Sequence, residues 1–279
     1  MQINNLYSNQ KIYILPTSCN ISFHAGHAGY SNTRSISNIM AKISHYTIDE
    51  YKSLSEEELN LIRYVCQKEL KPQIFEEKIH DLVSENIKNY LNNLYGQGKY
   101  IVLIVGRSLS SIGKVLGYKI SEENVKNIPL SNAGKYLYQD NIEKEKKCGG
   151  IEVLKAFLKS IGLSKEKIND SDKKIVILDF CVTGSSLKGA KKLLTRDDIL
   201  GQKNISALNV EDCIQDEQDK SVLEKRLFFS KYKDISFVER ADTLSDIPNA
   251  IVNTKKDKME FRLFRFRLLD NFMKYKKNK

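Results

Sequence analysis

The chain has 279 residues, 41% hydrophobic and 29% charged, and a net charge of +10 carried largely by lysine; this excludes a disordered polyelectrolyte and leaves room for a substantial apolar core. The longest continuous apolar stretch, around Tyr100 to Val105, falls far short of the ~20 residues needed to cross a bilayer, so no transmembrane segment is expected. Cys19, Cys66, Cys148, Cys181 and Cys213 form no CxxC pair, which argues against a disulfide framework and a paired-ligand zinc site; with no export signal read at the N-terminus, a cytoplasmic protein is the expectation.

In chain order, Lys11 to Leu15 reads as a short strand stopped by Pro16, and the Ser, Asn, Gly and His residues up to about residue 38 read as loop. Within that stretch His24 and His27, with two residues between them, have no evident third ligand, which points away from a metal site. Ser55 and Glu58 form a capping-box pair, and Leu59, Ile62, Val65, Cys66 and Leu70 recur at helical spacing, predicting a helix over 56–70. After Pro72 a second apolar stripe runs from Ile74 to Leu94 and is stopped by Gly96 and Gly98. Residues 1–96 thus read as an N-terminal helical region or cap.

A regular alternation follows: strand 99–105, helix 109–117, strand 125–130, helix 151–161, strand 174–180 and helix 186–195, with further strands at 204–210 and 234–239. Strands separated by helices predict an α/β fold with a mostly parallel sheet over 97–245. The polar stretch Ser131 to Gly150, with Lys135, Lys144, Lys146 and Lys147, reads as a lid-like loop. Residues 246–279 form a basic C-terminal segment, helical over 259–275, whose apolar side is expected on the core and whose arginines are expected in water.

Two strand-to-helix turns carry the chemistry. In Ile101-Val102-Leu103-Ile104-Val105-Gly106-Arg107-Ser108 a buried strand enters a tight glycine turn and then a helix. Helix starts expose unpaired N–H groups that favour an anion, and Arg107 adds a forked donor. In Ile175-Val176-Ile177-Leu178-Asp179-Phe180-Cys181-Val182-Thr183-Gly184-Ser185-Ser186 the strand ends on an acid, and small hydroxylated residues open the next helix. Such hydroxyls and successive N–H groups suit a phosphomonoester, and Asp179 suits sugar hydroxyls. In open α/β sheets ligands gather at the carboxyl ends of the strands.

This pair of turns resembles the type I phosphoribosyltransferases, whose signature is an apolar strand, an acidic pair and a Thr-Gly loop for the 5-phosphate of phosphoribosyl pyrophosphate (PRPP). Gly106-Arg107-Ser108 is similar to their upstream pyrophosphate loop. The resemblance implies a phosphoribosyltransferase-like core and a pentosyl-transferring enzyme that uses Mg²⁺ brought by its substrate. It implies Thr183, Gly184, Ser185 and Ser186 on the 5-phosphate, Asp179 on ribose, and Gly106, Arg107 and Ser108 on pyrophosphate, with Asp179 and Arg107 as the catalytic pair. Leu178 stands where the first acid of the family's pair would be, which implies altered ribose recognition. Two other readings stay open: a non-catalytic PRPP- or nucleotide-binding regulator, and an effector or toxin-type protein using the same turns on a partner.

Other motifs fail on spacing. Gly113-Lys114 comes seven residues after Gly106 and is followed by Val115, so the nucleotide P-loop pattern is broken. Cys181 takes the place of the second acid of a haloacid-dehalogenase phosphatase, and Leu187 that of the arginine of a cysteine phosphatase. The lysine-rich surface reads first as solubilising, since no run of stacking residues accompanies the charge and nucleic acid lacks support. The sequence leaves a homodimer open.

Overall fold

The computed structural model describes residues 29–69, 77–107, 109–180, 183–201, 205–216, 240–252 and 259–277. The expected strands at 11–15 and 234–239, the two histidines near residue 25, Ser108 and Cys181 lie outside the described residues. The chain divides into two compact units, 1–44 and 45–279. In the first, α1 (Gly29–Lys42) is helical where the sequence reads as loop through residue 38. The misreading has a local cause: serines and asparagines lower helix propensity, but Ile36, Ile39, Met40 and Ile43 recur at helical spacing and are buried.

The second unit begins with three helices: α2 (Ile48–Lys52), α3 (Glu56–Glu69) and α4 (Glu77–Tyr95). Thr47 caps α2, its Oγ1 accepting from the Glu50 amide while Glu50 accepts from the Thr47 amide. The capping box read at Ser55 and Glu58 forms in the same reciprocal way at 2.9 and 3.2 Å.

From Tyr100 the expected alternation appears. β1 (Tyr100–Val105), α5 (Ser110–Ile120), β2 (Val125–Ile128), α6 (Gln139–Lys147), α7 (Gly150–Ser160), α8 (Lys165–Asn169), β3 (Lys174–Asp179), α9 (Ser185–Leu194) and β4 (Ile205–Asn209) follow in order. The four strands are all parallel and lie in the order β2-β1-β3-β4. A short helix, α10 (Ile247–Val252), and a 19-residue helix, α11 (Met259–Lys277), follow. No described helix is long and apolar enough to cross a membrane.

Side-chain alternation along the strands gives the sheet two apolar faces. Leu103, Val105, Ile175 and Ile177 pack with α7 and α9 through Leu154, Leu158, Leu187 and Leu193. Val102, Ile104, Val176 and Leu178 pack with α4 and α5 through Ile87, Leu91, Ile112 and Leu116. Both faces are covered, which is what near-continuous apolar strands require. Polar contacts fasten α4 to α5: Ser84 donates to the Ile112 carbonyl at 3.2 Å, and the deeply buried Lys119 pairs with Asp81 and Glu85.

Residues 131–150 are not a lid. Ala133–Leu137 forms a 3₁₀ turn followed by α6, with Ala133, Tyr136 and Ile142 in the core. The buried Glu145 carboxylate accepts from Tyr136 Oη at 2.8 Å, from Lys135 Nζ at 3.0 Å and from the Leu244 amide at 3.3 Å. Three donors thus meet the polar atoms of this buried side chain, which would otherwise be costly to remove from water. The C-terminal helix α11 is present as expected, with Leu263, Phe264, Phe266, Leu268 and Leu269 buried. Its arginines, expected in water, are half-buried, Arg265 lying 5.5 Å from the centre of the Tyr46 ring. Asp270 of this helix accepts from Tyr51 at 2.6 Å and from Arg63 at 2.9 Å, tying α11 to α2 and α3.

Candidate functional site

The strand order fixes where a ligand site can form. From β1 the chain moves outward to β2, then returns across β1 to reach β3 on its other side. The α5 crossover leaves β1 onto one face of the sheet, and α9 leaves β3 onto the other. Two neighbouring parallel strands whose exits diverge make a switch point, and at the carboxyl ends of such strands open α/β sheets bind ligands. The β1 and β3 tips are such neighbours: Ile104 pairs with Leu178, the strands lying ~4.8 Å apart. Both sequence-read turns therefore occupy one edge of the sheet.

The first turn is built around Gly106. Its φ of +77° is a left-handed conformation that costs a residue with a Cβ about 1 kcal/mol or more. The Gly106 amide donates to the Ile128 carbonyl at 2.8 Å, which locks the turn to β2. Arg107, half-buried, follows, its carbonyl accepting from the Ser110 amide at 3.0 Å. Helix α5 then starts without a side-chain cap at Leu109. Gly113, one turn on, lets the helix settle on β1: a Cβ there would come within 2.8 Å of Ile104 Cγ1.

The second turn starts from Asp179, the last residue of β3 and only 7% exposed. Its side chain occupies the final rung of the α7/α9 face, a row in which Asn209 lies across β4 and Val105 is the next residue of β1 beyond the Ile104–Leu178 pair. Burial pushes its carboxyl pKa up to about 7, against which the 2.8 Å hydrogen bond from the Phe180 amide works weakly. Among the described residues no cation pairs with it. Thr183 is exposed, and its Oγ1 lies 3.0 Å from Ser185 Oγ. Gly184, at φ +68°, stands at the N-cap position of α9, and no side chain caps the helix there. Ser186, half-buried, sits in the first turn of α9.

The sequence reading thus brings Gly106, Arg107, Asp179, Thr183, Gly184, Ser185 and Ser186 to one edge, while Ser108 lies outside the described residues. It missed the wall that joins the two turns. A Cβ on Gly106 would sit 3.4 Å from the Leu130 carbonyl oxygen, and one on Gly134 would sit 3.3 Å from Ser185 Oγ. Residues 130–134 therefore run from one turn to the other, a path of at most about 14 Å. Asn132, exposed and left-handed at φ +53°, lies in that wall. A left-handed non-glycine residue is conspicuous in coordinates, whereas in sequence Ser131-Asn132-Ala133-Gly134 looks like any loop.

Leu178, at the position of the absent acid, is fully buried in the α4/α5 layer, on the opposite face from Asp179. A carboxylate there would be buried among apolar side chains and far from a shared ligand. The chain matches no known family, no curated protein and no solved structure.

Proposed function

We propose that the switch point between the β1 and β3 tips holds a phosphorylated ribose, PRPP or a nucleotide, and that the protein is a phosphoribosyltransferase-like enzyme moving the phosphoribosyl group to or from an acceptor. One observation carries this reading: two helix starts whose N-cap residues, Leu109 and Gly184, supply no side-chain cap stand at adjacent parallel strand tips. The positive ends of both helix dipoles lie at that edge and favour two anionic groups on one molecule. In this reading the Thr183 to Ser186 turn takes the 5-phosphate. Gly106, Arg107 and Ser108 take the pyrophosphate, and Asp179 accepts from the ribose hydroxyls.

Transfer breaks the bond between ribose C1 and the pyrophosphate oxygen, whose electron pair leaves with pyrophosphate, and forms a bond from C1 to the acceptor. The protein's part is positioning and charge stabilisation, with Arg107 and the loop amides facing the leaving group. By the same resemblance Mg²⁺ would enter with the substrate and would neutralise leaving-group charge.

A second reading, a binding protein without turnover, is favoured by the burial of Leu178, which leaves one carboxylate for the ribose diol. Calorimetry with PRPP and Mg²⁺, paired with pyrophosphate release over a panel of acceptors, tests both. The enzyme reading expects saturable binding, weakened at least about tenfold by Arg107→Ala or Asp179→Asn, together with pyrophosphate release. Binding without release leaves the regulator, and PRPP affinity indifferent to both substitutions removes the site.

A further inference from the structure

Helix α9 leaves the switch point carrying Lys188, Lys191 and Lys192 on its exposed side and no acidic residue. Positions i, i+3 and i+4 form one stripe, so the three ammonium groups line a single face. The 3₁₀ turn Ala133–Leu137 packs along the same helix. The closest approach is at Gly189, where a Cβ would run into the Ala133 carbonyl, and farther along Lys192 Nζ donates to the Leu137 carbonyl at 2.8 Å. That contact fixes Lys192 beside the next residue, Tyr138, which is 68% exposed and the most exposed of the large hydrophobic side chains described. Beyond the end of α9, Arg196 pairs with Asp198 at 2.8 and 2.9 Å, and Glu143 of α6 faces Arg196. Arg196 thus takes up Asp198, while Asp197 shares a surface depression with Lys192 and Arg196 at that end, so Lys188 and Lys191 carry the part of the stripe farthest from acids.

We propose that the face formed by α9 and Tyr138 binds single-stranded nucleic acid. Lysines at fixed spacing neutralise successive phosphates, and an exposed aromatic ring supplies a stacking platform that accepts any base. The sequence alone lends such a partner no support, because no aromatic residue adjoins Lys188, Lys191 or Lys192 along the chain. The fold supplies one by laying residues 133–138 beside a helix some fifty residues later. A solubilising lysine surface has no need of an exposed tyrosine beside it. A duplex would gain little from that ring, because its bases are already stacked.

Fluorescence anisotropy with a labelled oligouridine of about ten nucleotides tests the surface. With three phosphate contacts, affinity should fall about 20-fold between 50 and 200 mM salt. Lys191→Ala/Lys192→Ala should flatten the log–log salt slope by about 1.4. Tyr138→Ala should weaken binding at least about 5-fold without changing the slope, and Tyr138→Phe should restore it. Lys191, Lys192 and Tyr138 lie outside the residues assigned to PRPP and are exposed, so PRPP calorimetry and thermal unfolding should match the parent protein. Absence of saturable binding at 50 mM salt overturns the proposal. So does a Tyr138→Ala variant that binds as the parent does, or competition by inorganic polyphosphate as effective as by unlabelled oligouridine.

Discussion

The two turns at the sheet edge have the same plan and different tolerances. Each leaves a buried strand, passes a left-handed glycine and opens a helix that a later glycine lets approach its neighbour. In α5 that later residue is Gly113, and what a Cβ would meet is Cγ1 of the buried Ile104, a side-chain atom that a rotamer change at some cost can move. In α9 it is Gly189, and the obstacle is the backbone of Ala133 and Gly134, which cannot. The helix that carries the proposed 5-phosphate turn is therefore clamped by main chain, and the one that carries the pyrophosphate turn is cushioned by a rotamer. Placement of the α9 start depends on the wall at 130–137, whereas placement of the α5 start depends on the strand it follows.

The sharpest way to break this contrast is Gly189→Ala. The gain in helix propensity, about 1 kcal/mol, is overwhelmed by a backbone collision, and a loss upwards of about 4 kcal/mol or failure to fold is expected. Urea unfolding measures it. A loss below about 1 kcal/mol would mean that α9 can slide from the wall, and the clamp would lose its meaning.

Next in size is Asp179→Asn. The folded state holds the Asp179 carboxyl at a pKa of about 7 against an ordinary value of 3.8. Between those values the native chain keeps a proton that the unfolded chain has released, so stability falls as pH rises through the window and is lowest above about pH 7. Asparagine removes that cost. The variant should be more stable than the parent by on the order of 4 kcal/mol at pH 8 and by under about 1 kcal/mol at pH 4, read as the difference between two thermal-unfolding series. Equal stability at both pH values would show that the carboxyl is better solvated than its burial indicates.

These two positions also show how far sequence carries. The strands β1 and β3 were legible because continuous apolar runs ended on Gly106 and Asp179, and local composition is enough for that. The capping box at Ser55 and Glu58 was legible for the same reason, both partners lying within one turn. The segment 131–150 was misread as a lid because its lysines are conspicuous. What holds it, the Glu145 carboxylate met by Tyr136, Lys135 and the Leu244 amide, involves a residue a hundred positions away. The wall at Leu130 to Gly134 and the face beside Tyr138 escaped for the same reason: each depends on which segments the crossover from β2 lays side by side. Gly189 carried no signal at all, since glycine inside a helix reads only as a weak spot.

Gly113→Ala measures the softer half of the comparison. A Cβ at 2.8 Å from Ile104 Cγ1 forces that side chain to turn, and the strain is partly offset by helix propensity. A net loss of about 1 kcal/mol is expected, well under that of Gly189→Ala in the same urea series. If the two losses came out equal, the β1 side would be as rigid as the β3 side and the distinction between cushion and clamp would disappear.

The smallest effect on stability is expected at Gly184, where the test separates conformation from binding. Its φ of +68° disfavours a Cβ, yet nothing stands closer to the position of that Cβ than Lys188 Cε at 4.0 Å. The cost of Gly184→Ala is then conformational alone, about 1 kcal/mol. Asparagine tolerates the left-handed region, so Gly184→Asn should recover most of that loss. A bare turn is also what an anion at the α9 start requires, because any side chain there competes for the space over the first amides. Gly184→Asn should therefore unfold close to the parent temperature and still bind PRPP more weakly. If asparagine restored stability and affinity together, the glycine would serve only the bend of the chain, and the phosphate would have to sit farther from α9 than proposed.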